Sequence, residues 1–293
     1  MGKIAGVEFA PQVVSATRFA PSPNGRLHIG HAFSALCAHD FARAFGGKFL
    51  LRIEDIDGTR SRPEHIAAII DDMAWLGLHP DGAPLFQSQR IANYAAALER
   101  LKEKGLVYQC WCTRSEIAEA LKQQPVRHGP DGPVYPGTCR GRSGGDGDFC
   151  WRLDMEKAVA LTGPLSWIDL AAGPQIANPA IFGDVVLWRK DAPASYHLAA
   201  TLDDATDAIS HVVRGMDLFA YTAIHRLLQQ LLDLPQPLYW HHPLLLDDSG
   251  EKLAKSRASK PLSELREAGE SGAAIVAALR RGQLPLGITL SRP

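Results

Sequence analysis

The feature that most constrains the fold of this 293-residue chain is the succession of elements predicted between residues 13 and 53. Residues 13–19 alternate in character, which predicts a short strand, and the Pro- and Gly-rich residues 21–25 predict a loop. We expect a helix from residue 27 or 28 to residue 45, closed by two glycines, and then a buried strand over residues 48–53. Such a unit builds parallel sheets, so the predicted fold class is α/β of the Rossmann type.

The rest of the chain predicts a second half of this sheet, separated from the first by an insertion. Ser61 and Glu64 have capping-box spacing, and a helix is predicted to follow them and end at Gly77. Pro, Gly and charged residues dominate between residues 113 and 149, and Asp217 is predicted to cap a later helix. The other predicted elements are helices at 88–104 and 273–280 and strands at 209–214 and 240–246. The predicted domains are a first catalytic half (1–108), an insertion (109–194), a second catalytic half with a lysine loop (195–260) and a helical tail (261–293).

Two histidines lie where the first loop meets its helix, in the motif His28-Ile29-Gly30-His31. A helix N-terminus offers unpaired N–H groups and a partial positive charge, so it attracts phosphate. Side chains at positions i and i+3 point the same way, so both imidazoles could donate hydrogen bonds to a phosphate. Gly30 would let a nucleotide base approach the backbone. The alternative is a pair of surface histidines at a helix start.

A second motif, Lys252-Leu253-Ala254-Lys255-Ser256, comes after a predicted strand and the turn at residues 247–250. Two lysines on a loop suit a pyrophosphate leaving group, because they neutralise charge as it develops. Taken alone, the motif would be a solvated basic loop. Together with the histidine motif, it predicts an enzyme that activates a carboxylic acid with ATP by adenylation.

Composition and cysteine usage favour a cytoplasmic location. The formal net charge is −1, so charge gives no global sign of nucleic-acid binding. The start of the chain lacks the pattern of a signal peptide, and no apolar stretch approaches the roughly 20 residues that span a bilayer. Five cysteines, an odd number, do not indicate a disulfide framework. In a reducing compartment, clustered cysteines more often bind metal.

The two motifs in this order resemble the class I aminoacyl-tRNA synthetases. The blocks at residues 18–25, 27–36 and 51–57 are similar to the opening of the glutamyl-tRNA synthetase family, and so is the stretch from residue 195 to residue 215. The resemblance runs from about Thr17 to Ser256. It implies a class I synthetase catalytic core whose parallel sheet is split by a zinc-containing insertion, with a short helical segment at the C-terminus.

The resemblance also implies a site for ATP and L-glutamate. Arg18 and Arg214 would lie near the substrate, since Arg matches a carboxylate bidentately. Glu54 would hold the α-ammonium group and Tyr196 would supply a hydroxyl. The glutamate-facing loop would consist of Arg18, Phe19, Ala20, Pro21 and Ser22. For each charged residue, the alternative is a buried structural Arg–Glu pair.

Catalysis in this family needs no covalent enzyme nucleophile. The substrate carboxylate attacks the α-phosphorus of ATP in line and pyrophosphate leaves, so the enzyme positions the reactants and stabilises charge. The implied catalytic residues are His28, His31, Lys252 and Lys255, and the implied ATP-binding residues are His28, Gly30, His31 and Lys255. Mg²⁺ would accompany ATP, without an assigned protein ligand. Leu253 and Ala254 depart from the family's Lys-Met-Ser-Lys-Ser, and the change at Ala254 removes one possible hydrogen bond.

A zinc site is implied in the insertion. Cys110 and Cys112 place two thiolates on one short segment, and Cys139 lies downstream. In the resembled proteins, a Cys-x-Cys pair and a Tyr-x-x-x-Cys pair hold zinc, which matches Cys110, Cys112, Tyr135 and Cys139. Such a closed tetrahedral site would be structural. Cys150 and His128 are alternatives to Tyr135 as the fourth ligand, and the stretch between Cys112 and Tyr135 is long for the pattern.

The length of chain after the lysine loop bears on the acceptor. Family members that charge tRNA with glutamate carry a C-terminal anticodon-binding domain, whereas only a few dozen residues come after the loop here. With the cysteine cluster, this resembles short members that attach glutamate to the queuosine base at the wobble position of tRNA(Asp). The alternatives are a short synthetase that charges a tRNA 3′ end, a non-catalytic paralogue that binds tRNA or glutamate, and an adenylating ligase for a small amine. We expect no membrane association, and the sequence indicates no protein partner.

Overall fold

The structure is a computed structural model that describes residues 2–123, 125–253 and 260–291. The first half of the chain alternates strands and helices: β1 (Gly2–Ile4), β2 (Val7–Phe9), β3 (Ala16–Phe19), α1 (Ile29–Ala44), β4 (Lys48–Ile53), α2 (Pro63–Trp75), β5 (Leu85–Phe86) and α3 (Ile91–Glu103). β3 pairs with β4, and β4 with β5, both in parallel. This confirms the predicted strand–loop–helix–strand unit, because β3, α1 and β4 occupy the predicted places.

The second half begins with a helix and continues the parallel arrangement: α6 (Tyr196–Thr206), β13 (His211–Gly215), α7 (Thr222–Leu231), β14 (Leu238–His242) and β15 (Leu245–Leu246). β13 and β14 pair in parallel, and the Ser210 N–H donates to the Ala16 carbonyl oxygen at 3.2 Å, which places β13 beside β3. The strands therefore run outward in two directions from β3 and β13. In open α/β sheets, ligands bind at such a switch point, outside the carboxyl ends of the strands.

The segment between the halves folds mainly around a small antiparallel sheet. Its elements are β6 (Val107–Cys110), α4 (Arg114–Lys122), β7 (His128–Gly129), β8 (Gly132–Pro133), β9 (Cys150–Leu153), α5 (Met155–Thr162), β10 (Leu165–Asp169), β11 (Gly173–Ala177) and β12 (Val186–Trp188). β9 pairs antiparallel with both β6 and β12. β10 instead pairs in parallel with β14 at Asp169 and Tyr239, so part of the predicted insertion extends the catalytic sheet. The predicted domain division stays a prediction.

The tail holds α8 (Leu262–Glu267), α9 (Gly272–Arg280) and β16 (Thr289–Leu290), which pairs with β15. The core lies between the sheet and its helices, where Phe41 of α1 is fully buried and packs against Trp240 of β14. In the described parts of the chain, no helix has both the length and the apolar character to span a membrane.

Three local predictions were wrong. Ser61 does not cap α2, because Pro63 fixes the first turn and Arg62, without a side-chain cap, takes the N-cap position. Asp217 lies in a 3₁₀ turn and pairs with Lys252, whereas α7 starts at Thr222 after an uncapped Tyr221. The predicted strand at 240–246 is two strands, β14 and β15, separated by Pro243 and its neighbour.

Candidate active site

The two motif histidines form a capping box at the start of α1. His28 is the N-cap residue, and its Nδ1 accepts a hydrogen bond from the Gly30 N–H at 3.1 Å. The His31 Nδ1 accepts from the His28 N–H at 3.1 Å, and the ring centroids lie 3.9 Å apart. Since both Nδ1 atoms are acceptors, the neutral form of each ring carries its proton on Nε2. A Cβ at Gly30 would lie 3.0 Å from Cε1 of His28, so glycine leaves room for this ring.

A cavity of about 850 Å³ opens where β3 and β13 end. It is lined by twelve residues that the sequence assigned to the site: Arg18, Phe19, Ala20, Pro21, Ser22, His28, Gly30, His31, Glu54, Tyr196, Arg214 and Lys252. Lys255 and Ala254 lie outside the described residues. The cavity therefore brings the proposed glutamate-binding and phosphate-binding groups together at the switch point of the sheet.

Arg18 is buried and bonded to an acidic residue of α6. Its Nε and Nη2 donate to the two carboxylate oxygens of Asp204 at 2.9 and 3.3 Å, and its Nη1 donates to the Val213 carbonyl oxygen at 3.3 Å. Arg52 also donates to Asp204, at 2.8 Å. Burial opposes ionisation of Asp204, but the two arginines outweigh it and lower the pKa of the carboxyl. Arg18 therefore uses its Nε and Nη2 donors for a structural ion pair with Asp204, although it also lines the cavity.

Arg214 is equally buried but is bonded only to neutral groups. Its five N–H donors are all used. The acceptors are the His241 Nε2 (3.0 Å), the Tyr196 hydroxyl (3.3 Å), the His225 Nδ1 (3.1 Å), the Leu218 carbonyl oxygen (3.1 Å) and the Thr222 hydroxyl (2.7 Å). Burial, with the charge of Arg214, lowers the pKa of His241 to about 4 and that of His225 well below its usual value, so both rings are neutral.

Glu54 comes directly after β4 and faces the cavity beside Ser22, whose hydroxyl lies 3.5 Å from its carboxylate. Burial raises the pKa of Glu54 to about 7, although Arg52 and Arg18 act in the opposite direction. The site therefore holds a carboxyl that ionises near neutral pH. A cationic ligand such as an ammonium group would favour its charged form.

Lys252 is the described lysine of the loop, and it pairs with Asp217 in the wall of the cavity. Its backbone also forms a bridge to Leu246 of β15. The pair holds the first lysine of the loop in the wall of the cavity that the two histidines also line.

Three thiols meet in the insertion, from Cys110, Cys112 and Cys139, with all sulfur atoms within 4.8 Å of one another. The Cys112 and Cys139 sulfurs are 3.4 Å apart, and the Tyr135 hydroxyl oxygen lies 3.3 Å from Cys110 Sγ and 3.6 Å from Cys112 Sγ. Zinc–sulfur bonds of about 2.3 Å give tetrahedral edges of about 3.8 Å, so the contacts of 3.3 to 3.6 Å within this group suit a tetrahedral metal ion. Hydrogen bonds, led by one from Cys150, lower the pKa of the Cys110 thiol to about 3. Among the described residues, neither Cys150 nor His128 belongs to this group of ligand atoms.

Some residues at the site carry no local signal in the sequence. Asp204 lies in a block that is similar to the glutamyl-tRNA synthetase family, but its bond to Arg18 spans 186 positions. Asp169 and His241 pair across 72 positions, on strands whose adjacency the sequence did not predict. Asp131, in the long stretch between Cys112 and Tyr135, reaches the cavity wall and bonds to Tyr221.

Comparisons with known proteins agree with this geometry. A family described as "tRNA synthetases class I (E and Q), catalytic domain" matches residues 14–289, so the chain belongs to the class I tRNA synthetases of this type. Within that class it resembles the glutamyl-Q tRNA(Asp) synthetases. It is 48% identical to the one from Rhodobacter capsulatus over 88% of this chain and 97% of that protein. It is 45% identical to the one from Burkholderia cenocepacia over 84% of this chain and 81% of that protein.

Solved structures of glutamate–tRNA synthetases share the fold. The chain superposes on the enzyme from Elizabethkingia anophelis with a TM-score of 0.68 and 28% identity, over 83% of this chain. It superposes on a glutamate tRNA ligase from Elizabethkingia meningosepticum, in complex with its amino acid, with a TM-score of 0.73 and 26% identity, over 91% of this chain. The chain spans 53% and 60% of the lengths of those two proteins.

Proposed function

We propose that this protein activates L-glutamate with ATP to glutamyl-adenylate and transfers the glutamyl group to the queuosine base at the wobble position of tRNA(Asp). The observation that carries the proposal is one cavity lined both by an arginine with neutral partners, Arg214, and by the two histidines that cap α1. The curated relatives, of which 97% and 81% of the length is covered in the two cases above, are named glutamyl-Q tRNA(Asp) synthetase.

Glutamate recognition divides between two walls of the cavity. The Arg214 wall consists of Tyr196, Arg214, Asp217 and Leu218, and the Arg18 wall consists of residues 18–22 and Glu54. The charge of Arg214, which none of its five acceptors balances, attracts the side-chain carboxylate. The Tyr196 hydroxyl accepts from Arg214 and donates its own O–H to that carboxylate. Glu54, once ionised, receives the α-ammonium group. The loop at residues 18–22 encloses the substrate, and Arg18 keeps that loop beside β13 through Asp204 and Val213.

Activation rests on positioned donors. The α-carboxylate attacks the α-phosphorus of ATP, a P–O bond to pyrophosphate breaks, and glutamyl-adenylate forms. His28 and His31 donate to the phosphates from Nε2, because their Nδ1 atoms already accept the capping hydrogen bonds. Lys252 exchanges Asp217 for phosphate, and Lys255 is proposed to contact the pyrophosphate. Mg²⁺ bound with ATP would neutralise part of the phosphate charge.

One experiment identifies the acceptor of the glutamyl group. The purified protein is given ATP and radiolabelled glutamate with tRNA(Asp) that contains or lacks queuosine, and with tRNA(Glu). We expect label only on the queuosine-containing tRNA(Asp). Label on tRNA(Glu) would indicate a short synthetase that charges a 3′ end, and exchange of pyrophosphate without tRNA labelling would indicate a ligase for a small acceptor. Absence of exchange with every tRNA would contradict an enzymatic role.

Zinc is the proposed metal of the thiol cluster, with Cys110, Cys112, Cys139 and Tyr135 as ligands. The N–H of Cys139 donates to the Tyr135 hydroxyl oxygen at 2.9 Å, which orients that oxygen toward the sulfurs. We expect one zinc per chain in the purified protein and weaker retention in Tyr135→Phe during chelator competition. Cys150→Ser is the matched control, and it should retain the metal. A well-folded native protein without metal would overturn the assignment.

The proposed location of the protein is the cytoplasm.

A further inference from the structure

A buried acid–imidazole pair holds Arg214 from the side of the sheet. Arg214 on β13 and His241 on β14 are register partners in the parallel pair, and Asp169 ends the next strand, β10. The Asp169 carboxylate accepts from the His241 Nδ1 at 2.7 Å and from the His241 backbone N–H at 3.0 Å. The side chains of Asp169 and His241 are completely buried. The result is a chain of hydrogen bonds from Asp169 through His241 to Arg214.

The direction of every hydrogen bond in this chain is fixed. The second oxygen of Asp169 accepts from the N–H groups of Ala171 and Ala172, both at 2.9 Å, so the carboxylate cannot turn without losing partners. His241 therefore carries its proton on Nδ1 and presents the Nε2 lone pair to Arg214. The Thr222 hydroxyl lies 3.2 Å from the same nitrogen and can also donate to it.

This arrangement determines how Arg214 faces the cavity. With Nε held by His241 and Nη2 held by Leu218 and Thr222, the guanidinium cannot rotate. The Nη1 group then points to the Tyr196 hydroxyl, which lines the cavity. The other His241 tautomer would place an N–H against the Arg214 Nε–H, and two donors would face each other in a buried site.

We infer that Asp169 and His241 are positioning residues that aim Arg214 at the side-chain carboxylate of the substrate, and so set the preference for glutamate over glutamine. This rests on the proposed function. Held in this way, the buried charge of Arg214 favours an anionic carboxylate over an isosteric neutral amide, and the Tyr196 hydroxyl, which accepts from Arg214, has its O–H to donate to the substrate. Asp169 does not touch the substrate; it acts through the tautomer of His241.

The test compares variants that change the chain of hydrogen bonds in different ways. Asp169→Asn keeps the shape but offers only one acceptor oxygen for four donated N–H groups. His241→Gln keeps an acceptor toward Arg214 and a donor toward Asp169, whereas His241→Leu keeps neither. Asp72→Asn and His211→Gln are the controls. Asp72 is a buried acid bonded to Arg266, and His211 is a buried imidazole of β13; neither lines the cavity.

Three kinds of measurement are made on each variant. They are kcat and KM for glutamate and for glutamine in ATP–pyrophosphate exchange, with and without tRNA; the Kd of glutamate by calorimetry; and the melting temperature. We expect Asp169→Asn and His241→Leu to raise the KM and Kd of glutamate by about 10- to 100-fold, the range of an unsatisfied buried polar group. Their kcat should change little, and their glutamate-to-glutamine preference should fall by a similar factor. His241→Gln should recover most of both, and the controls should change only the melting temperature.

The outcomes separate the inference from the function on which it rests. If the wild type activates glutamate and Asp169→Asn or His241→Leu lowers only the melting temperature, as the controls do, the pair is structural and the inference is wrong. If the wild type neither binds nor activates glutamate, the proposed function fails, and the inference fails with it. If Asp169→Asn does not fold, the comparison of His241→Gln with His241→Leu decides by the same readouts.

Discussion

Arg18 on β3 and Arg214 on β13 lie on neighbouring strands and line the same cavity, but their surroundings differ in charge. Arg18 gives two donors to the ionised Asp204, which also binds Arg52. Arg214 gives all five donors to neutral oxygen and nitrogen atoms. Removing one partner of a buried ion pair leaves an uncompensated charge and destabilises the fold, whereas a buried cation among neutral groups retains its attraction for an anion. The two walls are therefore expected to respond differently to substitution.

The largest effect should come from removing the unbalanced charge. We expect Arg214→Gln to raise the KM for glutamate by about 100-fold or more, because loss of a buried, hydrogen-bonded charge partner costs about 2–5 kcal/mol. Arg214→Lys should be nearly as poor, since an ammonium group cannot satisfy the same five acceptors. ATP–pyrophosphate exchange measures both. Arg18→Lys is the matched variant on the other wall, and an equal loss there would remove the distinction between the walls.

The next largest effect should be on stability and should come from the Arg18 wall. Arg18→Met leaves Asp204 buried with less compensation, so the free energy of unfolding in urea should fall by about 3 kcal/mol. The double variant Arg18→Met with Asp204→Leu should recover part of this loss, because it removes the orphaned charge as well. If the double variant loses more unfolding free energy than the two single variants lose together, Asp204 has a further role.

The pH dependence of glutamate use should depend on the Arg18 wall. Glu54, whose pKa is about 7, must be ionised to accept an ammonium group, so kcat/KM for glutamate should fall by about tenfold per pH unit below pH 7. The histidines around Arg214 contribute nothing between pH 5 and 9, because burial keeps them neutral; the pKa of His241 is about 4. Glu54→Gln should abolish the slope and lower the plateau. A slope that persists in this variant would assign the titration to another group.

The same pKa makes an opposite prediction for stability. Folding raises the pKa of Glu54 from 4.5 to about 7, so the folded state disfavours its charged form. The stabilisation of the folded state by protonated Glu54 is fully present below pH 4.5 and is lost as the pH rises through 7. In the absence of substrate, Glu54→Gln should therefore gain in unfolding free energy relative to the wild type between pH 5 and pH 8.

The contrast between the walls also shows how much the sequence could predict. The strand–loop–helix–strand unit and the position of His28 were predictable because helix starts, turns and strands leave local patterns. Arg18 and Arg214 came from matching blocks, which place residues at a site but do not indicate their partners. The partners, Asp204 and His241, became visible only once β3, β13 and β14 were adjacent. The misplaced cap at Asp217 has the same origin, because a distant lysine binds the carboxylate that the local pattern assigned to a helix.

The smallest effect tests whether the Arg214 wall also contacts the nucleotide. Asp217 precedes Leu218, whose carbonyl oxygen holds Arg214, and its own carboxylate binds Lys252. If Lys252 must leave Asp217 to reach phosphate, Asp217→Asn should lower the KM for ATP about two- to fivefold, which matches the 0.2–1 kcal/mol of an exposed ion pair. The gain should shrink at high salt, and the KM for glutamate should stay constant because the Leu218 carbonyl oxygen is unchanged. A higher KM for ATP would instead mean that Asp217 keeps Lys252 in its working position, so the 3₁₀ turn at Met216–Leu218 would align both substrates at once.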